Sequence, residues 1–213
     1  SALPTYYVSE LSRRHVTVVL TGDGGDEAFG GYDRYRAMRY ASAVPEGLAR
    51  IIASGLGFMR GEDRRFSLLS RLRRFAEAAS RPANEQYLAM LSMLSAAWRQ
   101  QIYTPEFLES LAEFSVVDER ARELGAMEGD GLQRLMDFDT RTYLPNDVLV
   151  KVDIATMAHG LEARSPFLDH RVVEWAARLP WRMKIGATAG KVLLKRLAAA
   201  YVPAPILRRP KRG

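Results

Sequence analysis

Along most of the chain, apolar residues recur at the three-to-four-residue spacing of amphipathic helices. The pattern predicts a short helix over Leu3–Arg14, with Tyr6, Tyr7, Val8 and Leu11 on its apolar side. Further helices are predicted over Ala28–Ala43, Glu46–Met59, Arg64–Ala79, Asn84–Trp98 and Ser115–Leu124. Leu88, Leu91, Met93 and Leu94 are expected in the core. Thr104-Pro105-Glu106 reads as a helix start, with threonine as cap and proline in the first turn. After a loop over Gly125–Gly131 come helices over Leu132–Tyr143, Val148–Met157 (capped by Asn146), His170–Arg178 and Lys191–Tyr201. Pro203, Pro205 and Pro210 predict an extended tail. One stretch departs from this rhythm. Val16-Thr17-Val18-Val19-Leu20 is a short β-branched, nearly continuous apolar run, expected to be a strand buried on both faces of a parallel sheet. The fold expected is therefore mostly α-helical with one clear strand.

Composition narrows the classes of function. The chain has 213 residues, no cysteine and a net charge of +6, mostly from arginine. Without cysteine there is neither a disulfide nor a thiolate metal site, which fits a cytoplasmic protein. No apolar run approaches the length needed to cross a bilayer. The arginines are densest over Arg60–Arg81, where they alternate with Phe66, Leu68, Leu69, Leu72 and Phe75 at helical spacing. A solvated helix face explains that stripe better than a nucleic-acid surface, because no aromatic residue on it is free to stack on bases. The three histidines are scattered and lack ligand spacing.

The chemistry gathers where the strand ends. Thr21-Gly22-Asp23-Gly24-Gly25-Asp26-Glu27 interleaves glycines with acids. Glycines let a backbone turn tightly and approach a ligand with no Cβ in the way. A strand leading into such a turn and then a helix is where open α/β sheets bind ligands. Phosphate loops use bare amides and a lysine, whereas carboxylates repel phosphate unless a metal lies between. One reading is a Mg-nucleotide site with Asp23 or Asp26 on the metal or acting as a base. The other is a turn whose aspartates cap the next helix.

Three blocks settle the choice by likeness. Thr21-Gly22-Asp23-Gly24-Gly25-Asp26-Glu27-Ala28-Phe29-Gly30-Gly31-Tyr32 resembles the S-G-E/D-G-x-D-E-x-F-G-G-Y signature of the asparagine synthetase family. Tyr143-Leu144-Pro145-Asn146-Asp147 through Lys151 and Asp153, continuing to Glu162-Ala163-Arg164-Ser165-Pro166-Phe167-Leu168-Asp169, is similar to its second motif. Arg209-Pro210-Lys211-Arg212-Gly213 is similar to its R-x-K-x-G. The blocks fall in the family order and leave roughly residues 37–136 uncovered.

The resemblance implies an α/β parent of the adenine nucleotide α-hydrolase type, a parallel sheet with helices on both faces. The family's S-G-G-x-D-S pyrophosphate loop and its N-terminal cysteine are absent from the sequence. The chain is therefore expected to be the C-terminal portion of a synthetase domain, over 1–213, and inactive by itself. The implied reaction is ATP- and Mg2+-dependent synthesis of asparagine from aspartate with glutamine or ammonia, through β-aspartyl-AMP. Related amidotransferases and cyclases that act on other acids share these motifs, and a helical scaffold without activity is the third reading. The implied roles are Asp23 and Lys211 in catalysis, Asp26 on Mg2+, and Thr21, Gly22, Gly24 and Lys191 on the nucleotide. Asp153 and Arg164 either frame the substrate amino acid or form a buried ion pair. The partners implied are small molecules rather than nucleic acid or membrane, and a homodimer is left open.

Overall fold

The computed structural model describes residues 2–41, 43–58, 68–92, 94, 96–111, 115–207 and 209. The chain divides into two compact units, Ser1–Arg36 with Gly129–Gly213, and Ala37–Glu128.

The first unit begins with helix α1 (Ala2–Arg13) and strand β1 (Val18–Leu20). The glycine-rich turn follows, then the single-turn helix α2 (Gly25–Phe29) and the start of α3 (Asp33–Ala41). The expected continuous helix over Ala28–Ala43 is thus interrupted. Gly30 takes φ 68° and ends α2, a left-handed conformation that favours glycine. A second strand, β2 (Glu162–Arg164), pairs in parallel with β1 in the register Val18–Glu162, Val19–Ala163 and Leu20–Arg164. The expected single strand is therefore two. Glu-Ala-Arg carries no β signal, and only the long-range partner makes it a strand.

Burial of the first strand on both faces does not hold. Val18 is 40% exposed and Leu20 75%, while Val19 on the opposite face is half-buried. Side chains alternate across a strand, and the face that carries Val18 and Leu20 is left partly open.

Helix Gly131–Arg141, capped by the Asp130 carboxylate accepting from Gln133 N–H, presents Leu132, Leu135, Met136 and Phe138 to the core of this unit. Pro145 does not stop the helical path. A π-helical turn over Leu144–Leu149 carries it into helix Val150–Met157, so Asn146 lies inside the turn and donates to Thr142 O rather than capping. A wider turn accommodates the N–H that proline lacks. Helices His170–Arg178, Trp181–Lys184, Val192–Ala198 and Ala204–Leu207 complete the unit. The last of these takes up Pro205, which had been expected in an extended tail; Pro210 lies outside the described residues.

In the second unit, helices Glu46–Phe58, Leu68–Ala79, Ala83–Leu91 and Val116–Ala126 pack around Ala76, Ala79, Tyr87, Leu88 and Leu124. Thr104 caps Pro105–Ser110 as its sequence predicts, and Ser115 caps Val116–Ala126. The helix expected over Asn84–Trp98 breaks at Ser92, and Leu94 is exposed rather than core. Met93 and most of the arginine-rich stretch before Leu68 lie outside the described residues.

Charged groups are buried in the first unit, among them Asp139, Glu27 and Lys184. Asp139, fully buried on the Gly131–Arg141 helix, accepts from Arg34 Nη2 at 2.7 Å and from the Tyr35 hydroxyl at 2.6 Å. The Arg34 guanidinium lies over the Tyr32 ring at 3.8 Å and the Tyr143 ring at 4.7 Å. Tyr32 in turn donates to buried Glu27 Oε1 at 2.6 Å, and thereby reaches α2. Burial raises the Glu27 pKa, and burial together with the Glu27 bond raises that of Tyr32. Arg34 and Asp139 were not singled out in the sequence. The signal was a lone carboxylate among apolar positions of an amphipathic helix, which requires a cation from elsewhere.

Removing the acid strands the cation. Asp139→Ala is expected to destabilise the protein by about 3 kcal/mol, because the largely buried Arg34 loses its carboxylate. Denaturant unfolding measures this loss, and an unchanged midpoint would contradict it. Lys184, 1% exposed, donates to Gln133 Oε1 at 3.1 Å. Burial pushes its pKa down to about 8 against the opposing pull of Asp130. The unfolded chain then holds this proton between pH 8 and 10.5 while the folded chain does not, so stability rises with pH across that window. Relative to wild type, Lys184→Met is expected to be more stable at pH 7 by roughly 2 kcal/mol, an advantage that fades toward pH 10.5. Thermal melts of both proteins across that range test it.

Candidate active site

The two parallel strands end together, and the glycine-rich turn grows out of that end. Thr21 N–H donates to Arg164 O at 2.8 Å, which extends the ladder into the turn. Ser165, just beyond β2, donates its hydroxyl to the Asp23 carbonyl. Gly24 takes φ 79° with no room for a side chain, since a Cβ there would lie 2.3 Å from Leu168 Cδ2. The segments 21–25 and 165–168 therefore clasp each other, and Phe29 closes the underside against Phe167 and Trp175. Gly22 is exposed, with nothing within 4 Å of where its Cβ would stand, so its backbone is open to a ligand.

Asp26 and Glu27 share the first turn of α2 but face different ways. Glu27 turns inward to Tyr32. Asp26 Oδ1 meets Lys191 Nζ at 2.9 Å, with the two side chains 22% and 31% exposed. Lys191 holds φ 53°, the left-handed region, and stands alone in this among the described non-glycine residues. That conformation costs a lysine about 1 kcal/mol or more. The pair lies over Gly31, where a Cβ would stand 1.8 Å from Asp26 Oδ1 and 2.4 Å from Lys191 Cε.

The structure thus brings Thr21, Gly22, Asp23, Gly24, Asp26 and Lys191 to one place, with the Arg164 backbone beside them. Asp153 and Arg164 do not form a buried ion pair. Asp153 is exposed on the Val150–Met157 helix, and exposed Arg164 pairs with Glu162 Oε1 at 2.6 Å. Lys211 lies outside the described residues. Lys191 had little in the sequence to tie it to Asp26, because only the fold joins the two.

Among the described residues, no group of three or more His, Cys, Asp or Glu side chains converges as a cage for a metal. A single half-buried carboxylate next to an exposed glycine backbone instead suits Mg2+, which takes one or two carboxylates and completes its shell with water and substrate phosphates. The donor set fits an ion that arrives with a nucleotide. Among the described residues, no helix is long and apolar enough to cross a membrane.

Comparison with known proteins finds relatives along the whole chain. A Mycobacterium tuberculosis protein provisionally named an asparagine synthetase [glutamine-hydrolyzing] is 35% identical over 217 residues, covering 99% of this chain and 31% of that protein. Asparagine synthetase [glutamine-hydrolyzing] 1 of Bacillus subtilis is 30% identical over 219 residues, covering 100% of this chain and 33% of the relative. Asparagine synthetase [glutamine-hydrolyzing] 3 of the same organism is 25% identical over 211 residues, covering 97% of the chain and 27% of the relative. The chain thus spans about a third of the length of the curated relatives it matches. No solved structure gives a significant match. The family described as Asparagine synthase matches across residues 1–213, and the chain belongs to that family.

Proposed function

We propose that this chain is part of an enzyme that converts aspartate to asparagine at the expense of ATP, with glutamine as nitrogen source. The observation that carries the reading is the Asp26–Lys191 pair beside an open glycine backbone, at the carboxyl ends of two parallel strands. The names of the glutamine-hydrolysing relatives support the nitrogen source.

In this proposal the Thr21 and Gly22 backbone lines the nucleotide, and Gly24 keeps the turn close enough to do so. Asp26 would hold Mg2+ against the phosphates, where the ion would neutralise charge on departing pyrophosphate. The aspartate side-chain carboxylate attacks the α-phosphorus, and the bond from that phosphorus to the pyrophosphate oxygen breaks. The Lys211 ammonium offsets the negative charge that develops there. Ammonia then attacks the acyl carbon of β-aspartyl-AMP, AMP leaves with the bonding electrons, and Asp23 takes the surplus proton. Arg164 exchanges Glu162 for the carboxylate of the amino acid, and Asp153 helps frame it. These substrates are those of a cytoplasmic enzyme.

Full-length protein given ATP, Mg2+, aspartate and glutamine is expected to release pyrophosphate and asparagine in equal amounts. Lys211→Ala is expected to lower both rates at least about a hundredfold, the scale of losing one transition-state charge partner. Pyrophosphate without asparagine would move the acceptor to another acid. Neither product from the wild type would overturn the reading.

A further inference from the structure

Asp26 is assigned above to Mg2+, yet its Oδ1 is already met by a cation that belongs to the protein, Lys191 Nζ at 2.9 Å. The pair is built rather than incidental. Lys191 is held in a left-handed backbone conformation, and the glycine beneath it leaves no room for a Cβ against either partner. Gly190 fits as closely, since a Cβ there would stand 2.4 Å from Gly30 O. Backbone from both sides of the site is thus pressed together at the point where the ammonium reaches the carboxylate.

An ammonium and a divalent ion compete for the same carboxylate oxygen, because each neutralises it and repels the other. We propose that Lys191 is a resident counter-ion that occupies the metal position of Asp26 until a Mg-nucleotide arrives, and then transfers to the nucleotide phosphates. The inference rests on the Mg-nucleotide reading of the site and deepens it. The pair keeps a half-buried carboxylate neutralised before a ligand binds. It also disfavours metal alone, because Mg2+ without phosphates would have to displace the ammonium and give it no new partner. Metal bound together with phosphate provides both exchanges at once. Coupled loading of metal and nucleotide follows as a linkage, with the lysine as the element that both ligands bias.

The test removes the ammonium and reads metal binding without nucleotide or turnover. Lys191→Gly suits this purpose, because glycine adopts the left-handed backbone freely and the variant is expected to melt no lower than wild type. Full-length wild type and Lys191→Gly would be titrated with Mn2+ alone and followed by electron paramagnetic resonance. The variant is expected to bind Mn2+ about tenfold more tightly than wild type. Adding Asp26→Asn to the variant is expected to abolish that gain. Equal or weaker Mn2+ binding by Lys191→Gly would overturn the proposal, as would a gain that survives Asp26→Asn. Binding of Mg-ATP to the wild type is read separately. Its absence alongside a clear Mn2+ gain would remove the nucleotide reading while leaving the competition between lysine and metal in place.

Discussion

The contact on which the site depends is the one between Asp26 and Lys191, made at 2.9 Å over a glycine. Neither residue reaches the other by local geometry. Asp26 is presented by a helix of a single turn, which on its own is far below the length that sustains a helix. That helix persists because Gly24 starts it and Gly30 ends it, both in left-handed conformations, and because Phe29 packs beneath it on Phe167 and Trp175. Lys191 is presented by a strained backbone conformation that the close fit of Gly190 on Gly30 helps to impose. Half-exposed ion pairs contribute little net stability. The interest of this one lies in where it fixes a charge, at the end of a sheet beside an open backbone.

Around it the first unit is braced by buried and largely buried polar groups. Arg34, between the rings of Tyr32 and Tyr143, ties α3 to the Gly131–Arg141 helix through Asp139, and Tyr32 carries the connection on to Glu27 in α2. A buried cation needs its acid, and a buried acid needs a donor, so these residues constrain one another's positions more tightly than apolar packing would. The short turn thus inherits rigidity from groups well outside it. This matters for a loop expected to hold multiply charged phosphates, where a displacement of about 1 Å is enough to lose alignment.

How much of this was legible follows from where each signal resides. The glycine-acid turn and the strand before it were readable, because the β-branched run and the change of composition at Gly22 are local. So was the Thr104 cap, which depends on three successive residues. β2 was not readable as a strand, since Glu162-Ala163-Arg164 becomes one only by pairing with β1. The break at Gly30 was hidden for a different reason: apolar spacing runs straight through it, and the interruption is a backbone event. The π turn at Leu144–Leu149 defeated the usual reading of Pro145 as a stop. At the site, residue types pointed to Asp23 and Asp26, but the partner of Asp26 and the brace through Arg34 and Asp139 are products of the fold.

The three acids of the turn show why residue type alone underdetermines role. Asp26 and Glu27 are neighbours on one helix, so their side chains point about 100° apart. The first lands on Lys191 at the half-exposed edge, and the second is carried into the interior against Tyr32. A buried carboxylate with a raised pKa and its bonding taken up by a tyrosine is poorly suited to a hydrated metal ion, whatever its sequence position suggests. Asp23 differs again, because Ser165 holds its carbonyl while its side chain remains half-buried on the turn. A carboxylate with a fixed backbone and an uncommitted side chain is what proton transfer at a changing substrate requires. Helix geometry and burial separate Asp26 from Glu27, and within the proposed reaction this supports Asp26 for the metal, Glu27 for the scaffold and Asp23, on the turn before the helix, for the proton.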